Sequence, residues 1–227
     1  MFIVKVLRRI YFFLAFNLYA KQKISKTDII KLLGFSIEIP PTVFHPSLYF
    51  SSKFLGEFLL TLDLTGKHVL DMGCGSGMLS LVAATRGAKV TSIDINDAAV
   101  HATRHNAKIN SLEASITAFA SNLFDGLINT NMFDLILVNP PFYPNDPAEL
   151  AEYAWKGGVH YNFIDQFTLH LNNYLTANGK AIFICSSDMD IIKVTTLFEK
   201  RHFTLQCLKQ KRVLFERLYI YEAVRNP

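Results

Sequence analysis

Cysteine is scarce in this chain: Cys74, Cys185 and Cys207 are the three thiols in 227 residues. They cannot all pair and have no metal-ligand spacing, which excludes a disulfide framework and points to a reducing cytoplasm. No His, Cys or carboxylate cluster has ligand spacing either, so no metal is expected. Cys185 and Cys207 read as small buried hydrophobes on strands, Cys74 lies inside a glycine turn, and none is given redox or nucleophilic work. Internal repeats and low-complexity tracts are absent. No segment offers the ~20 apolar residues that span a bilayer. The apolar run Ile10 to Phe16 follows a basic start, but Leu18-Tyr19-Ala20 is bulky where a signal peptidase needs small residues. Half of the residues are hydrophobic, enough for one α/β core with a short extension and too few for two full domains.

Charge is present but unevenly spread. The net value is +4, with +6 in residues 1 to 31, +5 in residues 193 to 225 and −7 between them. Basic ends suit RNA, an anionic membrane surface or an acidic protein. The C-terminal group reads as an ordinary solvated face, with Lys209, Lys211 and Arg212 as a polar turn between two late strands. A helix from about Phe2 to Lys21 would align Val6, Ile10, Phe13, Leu14 and Asn17 in one stripe. That basic amphipathic helix either packs on the main domain or docks a partner, with peripheral attachment to a membrane surface as the alternative.

Two stretches carry chemistry. Val69-Leu70-Asp71-Met72-Gly73-Cys74-Gly75-Ser76-Gly77 reads as a buried strand, Lys67 to Asp71, entering a glycine turn before a helix that begins near Met78. A dinucleotide fingerprint needs its third glycine where Met78 stands, so the spacing argues against NAD or FAD. A second strand, Ala88 to Ile93, ends in Asp94, about 20 residues beyond the glycines, where a carboxylate accepts both hydroxyls of a ribose. Adenosine without a pyrophosphate fits these parts; a tight strand-to-helix connection is the plainer alternative. The second stretch is Asn139-Pro140-Pro141-Phe142, at the end of the apolar strand Phe133 to Val138. In isolation it is a strand end followed by a rigid turn.

Together these motifs resemble class I S-adenosylmethionine (SAM) dependent methyltransferases, in the group whose fourth motif reads Asn-Pro-Pro-Phe or Asn-Pro-Pro-Tyr. The resemblance covers roughly residues 40 to 222. It is especially close to the small methyltransferase domain family, beside release-factor glutamine, ribosomal-RNA guanine-N2 and adenine exocyclic-amine methyltransferases. The resemblance implies a doubly wound, mostly parallel, seven-stranded Rossmann-like sheet with an antiparallel last strand. It places SAM against Asp71, Gly73, Gly75, Gly77 and Asp94. Asn122 would meet the adenine amine where the family usually has Asp, and a neutral acceptor there forms a weaker hydrogen bond than a carboxylate.

The physical case for the clamp stands beside that resemblance. A conjugated nitrogen is a poor nucleophile until its lone pair is freed from delocalisation. The Asn139 side-chain oxygen and the Pro140 carbonyl can each take one N–H and aim the lone pair at the methyl group. Neither proline has an N–H and each fixes its own φ, so the corner is stiff. Phe142 or Tyr143 can stack on the planar substrate. The implied acceptor is macromolecular, RNA or protein; a small metabolite and a catalytically inactive donor- or partner-binding scaffold are the alternatives.

Residues 1–39 are expected to form a helix-and-strand extension ending in Phe35 to Ile39, and residues 40–227 the methyltransferase domain. A loop from Thr42 to Ser52 precedes a helix from Lys53 to Thr61, and its His45 and Tyr49 are lid candidates. His45 lacks an evident partner carboxylate, which favours a plain loop residue. Further helices are expected near Met78–Arg86, Asp97–Asn110 and Met189–Lys200, and strands near Ser115–Phe119 and Ile182–Cys185. His202–Leu208 and Val213–Tyr221 would close the sheet as a hairpin. The long loop Tyr143 to His160, with Trp155 and Gly157-Gly158, is the candidate for substrate selection. Trp155 either closes over substrate or covers the core.

Overall fold

A computed structural model describes residues 26–128, 133–214 and 216–226. The helix expected over Phe2 to Lys21 lies outside the described residues. Two strands, β1 (Asp28–Leu32) and β2 (Phe35–Ile39), form an antiparallel hairpin. Then follow α1 (Phe50–Leu59), β3 (His68–Met72), α2 (Met78–Thr85), β4 (Lys89–Asp94), α3 (Asp97–Ile109) and β5 (Ile116–Ala120). The second half holds β6 (Phe133–Val138), α4 (Asn162–Tyr174), β7 (Leu175–Ser186), α5 (Ile191–Glu199), β8 (Phe203–Val213) and β9 (Glu216–Arg225).

Strands β3 to β9 make one seven-stranded sheet in the order β5-β4-β3-β6-β7-β9-β8. The first five of these are mutually parallel; β9 runs antiparallel to β7 and to β8. The central strands are apolar on both faces because helices cover both. On one side Val69, Leu135, Leu137 and Ile182 pack with Phe54, Leu55, Leu81 and Val82 of α1 and α2. Their strand neighbours Leu70, Ile136, Val138 and Phe183 point the other way, onto Phe167, Leu171 and Phe198 of α4 and α5. The strand order reverses between β3 and β6, so the carboxyl ends of β3, β4 and β6 open a crevice at the switch point.

The β1–β2 hairpin is fastened to this body by fully buried Asn106 of α3. Its amide oxygen accepts from Glu38 N–H at 2.8 Å, and its NH2 donates to the carbonyls of Glu38 and Ser76 at 2.8 and 2.9 Å. One side chain thus joins the hairpin to the glycine turn.

Four expectations need correction. Lys209, Lys211 and Arg212 are not a turn; they lie in β8 and pair with β9, because cross-strand pairing overrides the weak local strand signal of a polar run. Strand β7 begins at Leu175 rather than Ile182; its register on β6 shifts between Leu175 and Lys180, and residues 176–179 there carry no apolar alternation that would mark a strand in sequence. Helix α1 begins at Phe50, which puts Ser51 and Ser52 on its buried side. Cys207 is exposed on the edge strand, whereas Cys185 is buried.

Candidate active site

The glycine turn is pinned to β4 by Gly73 and Cys74 N–H groups, both donating to the Ile93 carbonyl at 2.8 and 3.0 Å. Gly73 has φ +73°, and a Cβ there would meet nothing within 4 Å, so its bare Cα faces open space in the crevice. Gly77 serves another purpose. At φ +79° its missing Cβ leaves room for Thr103 of α3, which a methyl would approach to 2.9 Å.

Asp94, at the end of β4, is half-buried and already held. Its two carboxylate oxygens accept from Gly75 N–H and Asn96 N–H, each at 2.9 Å. Burial raises its pKa above the ordinary carboxylate value, while backbone N–H groups of Asn96, Gly75 and Ile95 pull it back. Each oxygen keeps a second lone pair for a ligand hydroxyl. Asn96 also caps α3, and its NH2 donates to the Thr42 carbonyl at 3.2 Å, tying the loop before α1 to this corner.

Asn139 stands at the end of β6, followed by buried Pro140 and Pro141. Its NH2 donates to the hydroxyl of buried Ser52 at 2.9 Å. With the NH2 so engaged, the side-chain oxygen is the group of this amide with free acceptor capacity. Across the clamp, residues 143–158 fold back: Tyr143 N–H donates to the Trp155 carbonyl at 2.9 Å and Gly157 N–H to the Tyr143 carbonyl at 2.8 Å.

One cavity gathers Gly73, Gly75, Asp94, Asn122, Asn139, Pro140 and Phe142, with Tyr49, Tyr143, Tyr153 and Trp155 as aromatic walls. Asn122 is exposed at its rim, with its NH2 toward Asp125 at 3.3 Å. Tyr49 stacks on Phe44 with ring centroids 4.6 Å apart, and burial, reinforced by Tyr143, pushes its phenol up to about 12, so it stays neutral.

Asp71 and Gly77, expected at the ligand, do not line this cavity. Asp71 is buried and accepts from Ser80 of α2, which also bonds Ser92 at 2.8 Å. Burial, aided by the nearby Asp94 charge, pushes Asp71 up to about 6 against the Ser80 hydrogen bond. Its role in the structure is to tie β3, α2 and β4 together. His45 also turns away: it is 2% exposed, and its ring nitrogens bond Asp28 and Ser47, each at 3.0 Å. The partner carboxylate that the sequence did not reveal is therefore Asp28, in β1. Burial raises Cys74 well above a free thiol, with Asp94 and Asp71 adding to the effect, which keeps it a protonated lining residue.

The model of the methyltransferase small domain matches residues 36–211. The chain belongs to the methyltransferase small domain family. Among relatives, a Methanocaldococcus jannaschii protein, named by inference as a protein N5-glutamine methyltransferase, is 32% identical over 203 residues, 87% of this chain and 99% of that one. The ribosomal RNA small subunit methyltransferase C of Enterobacter sp. is 38% identical over 136 residues, 58% of this chain and 38% of its own length. A 16S rRNA N2 methyltransferase from T. thermophilus, solved with AdoMet and guanosine, superposes with a TM-score of 0.67 at 21% identity, over 88% of this chain and 50% of that one. This small-domain methyltransferase thus spans nearly the whole archaeal relative and half or less of these ribosomal RNA enzymes. Methyl transfer from SAM is the chemistry of the family to which the chain belongs.

Ser52 and Asn96 are the site residues that sequence reading missed. Asn96 carried a signal, since Asn followed by Asp97 before an apolar-periodic run marks a helix N-cap. Ser52 carried none.

Proposed function

We propose that this methyltransferase moves the methyl group of SAM to a planar nitrogen, an amide or an exocyclic amine, of a protein or a nucleic acid. The observation that carries the reading is the placement of Asn139, held by Ser52 at 2.9 Å, in the same cavity as Asp94. The residues fit the donor. Asp94 offers lone pairs to the two ribose hydroxyls, the bare Gly73 Cα admits close approach, and Asn122 stands at the rim where an adenine amine would need an acceptor.

SAM supplies an electrophilic methyl on a sulfonium sulfur. The protein's share is orientation: the Asn139 oxygen and the Pro140 carbonyl take the two N–H groups, and Phe142 with the aromatic walls holds the conjugated plane. Methylation makes the nitrogen acidic enough to release its proton to water, so no dedicated base is required. The archaeal relative supports a protein acceptor and the ribosomal relatives an RNA acceptor. A cytoplasmic setting agrees with the free thiols.

Calorimetric titration with SAM and with S-adenosylhomocysteine tests the donor site, followed by radiolabelled-methyl transfer to RNA and protein extracts. Asn139→Ala should abolish transfer and leave donor binding nearly intact. A fully active Asn139→Ala protein sinks the mechanism.

A further inference from the structure

Strand β8 is one of the two edges of the sheet, and it is irregular: its pairing with β9 shifts by one residue between Cys207 and Lys209. Such a bulge re-aims the strand beyond it. Past that point Arg212 stands directly opposite Arg217, and Gln210 opposite Tyr219. Opposite residues of an antiparallel pair project to the same face, so two guanidiniums, an amide and a phenol ring share one surface. Both arginines are exposed, and among the described residues neither has a carboxylate partner; the Arg217 guanidinium meets only Gln210, at 3.5 Å. Like charges directly opposite each other destabilise a sheet. A shared anion relieves that repulsion. The pair lies at the end of the sheet where β9 begins beside the crevice; Glu216 and Leu218, on either side of Arg217, line the cavity, and the two arginines project from the other face of the same strands.

We propose that the Arg212–Arg217 pair is a phosphate-binding site that holds the backbone of a single-stranded RNA acceptor, with a base stacked on Tyr219. This rests on the reading of the crevice as a methyltransferase with a macromolecular acceptor. Two features favour RNA over an acidic polypeptide. Guanidinium forks match phosphate oxygens bidentately, and an aromatic ring interleaved with cations is the platform on which bases stack.

The test uses the full chain and a fluorescein-labelled single-stranded RNA of about 12 nucleotides in mixed sequence, read by anisotropy across a salt series. The double variant Arg212→Gln/Arg217→Gln should bind about ten-fold more weakly and lower the slope of log affinity against log salt by about 0.7 to 1.4. Tyr219→Ala should weaken binding about ten-fold with the slope unchanged. Without RNA, Arg217→Gln alone should raise Tm by about 1 to 3 °C as the repulsion is removed. Lys89→Gln, at the opposite end of β4, serves as the control and should change nothing.

The proposal is overturned if the wild-type protein binds no RNA, if the double variant keeps its affinity and slope, or if Lys89→Gln loses as much. Displacement of the RNA by poly-glutamate at equal charge would also overturn it, in favour of an acidic protein. SAM titration of the same samples keeps the two readings apart: absent donor binding strikes the methyltransferase reading and leaves the RNA result standing.

Discussion

The side-chain NH2 of Asn139 donates to Ser52 Oγ at 2.9 Å, joining the end of β6 to the first turn of α1 across 87 residues. An Asn amide presents either its oxygen or its NH2 to a cavity, and only the oxygen can accept a substrate N–H. Here Ser52 accepts from the NH2 and so holds the amide in place with its oxygen left over as acceptor. Ser52→Ala should therefore lower kcat about 10-fold with donor affinity unchanged, and Ser52→Thr should recover part of the loss. An unchanged kcat in Ser52→Ala would remove this positioning role.

Donor binding should depend on pH through Asp94. Burial raises its pKa above that of a free Asp. It therefore loses its charge earlier as pH falls, and its hydrogen bonds to ribose hydroxyls weaken with it. Calorimetric affinity for SAM should decline as the solution is acidified toward the ordinary carboxylate range. Asp94→Asn should bind more weakly and lose that dependence.

Asp71 predicts an opposite trend in stability. Its folded pKa of about 6 exceeds the unfolded value, so the folded state holds the proton more tightly. That stabilisation is complete below the unfolded pKa and disappears as pH rises through about 6. Urea unfolding at intervals between about pH 4 and 7 should show wild type losing roughly 2 to 3 kcal/mol relative to Asp71→Asn. Parallel curves for the two proteins would show that the buried carboxyl titrates alike in both states.

The two glycines at the ends of the turn should separate function from packing. Gly73→Ala carries the cost of a positive φ, about 1 to 3 kcal/mol, and places a methyl in the donor crevice, so SAM affinity should collapse while the fold survives. Gly77→Ala carries the same backbone cost plus a clash with Thr103, whose atoms lie 2.9 Å from the new Cβ. It should be the less stable of the two by thermal melting.

The sequence alone determined the elements whose signals are local. A glycine turn between an apolar strand and a helix, Asp94 ending the next strand, and Asn139-Pro140-Pro141-Phe142 ending another are set by backbone rules acting within a few residues. The family and its sheet were legible for that reason. Only the tertiary structure decided what rests on distant partners. Asp71 and Gly77, in the same motif as Gly73 and Gly75, turn from the cavity because Ser80 and Thr103 meet them from neighbouring helices. His45 found its carboxylate in Asp28, Asn139 found Ser52, and the basic run Lys209 to Arg212 became a strand by pairing with β9. Each of these is a contact between side chains or strands that the chain brings together only on folding, and no local periodicity encodes such a meeting.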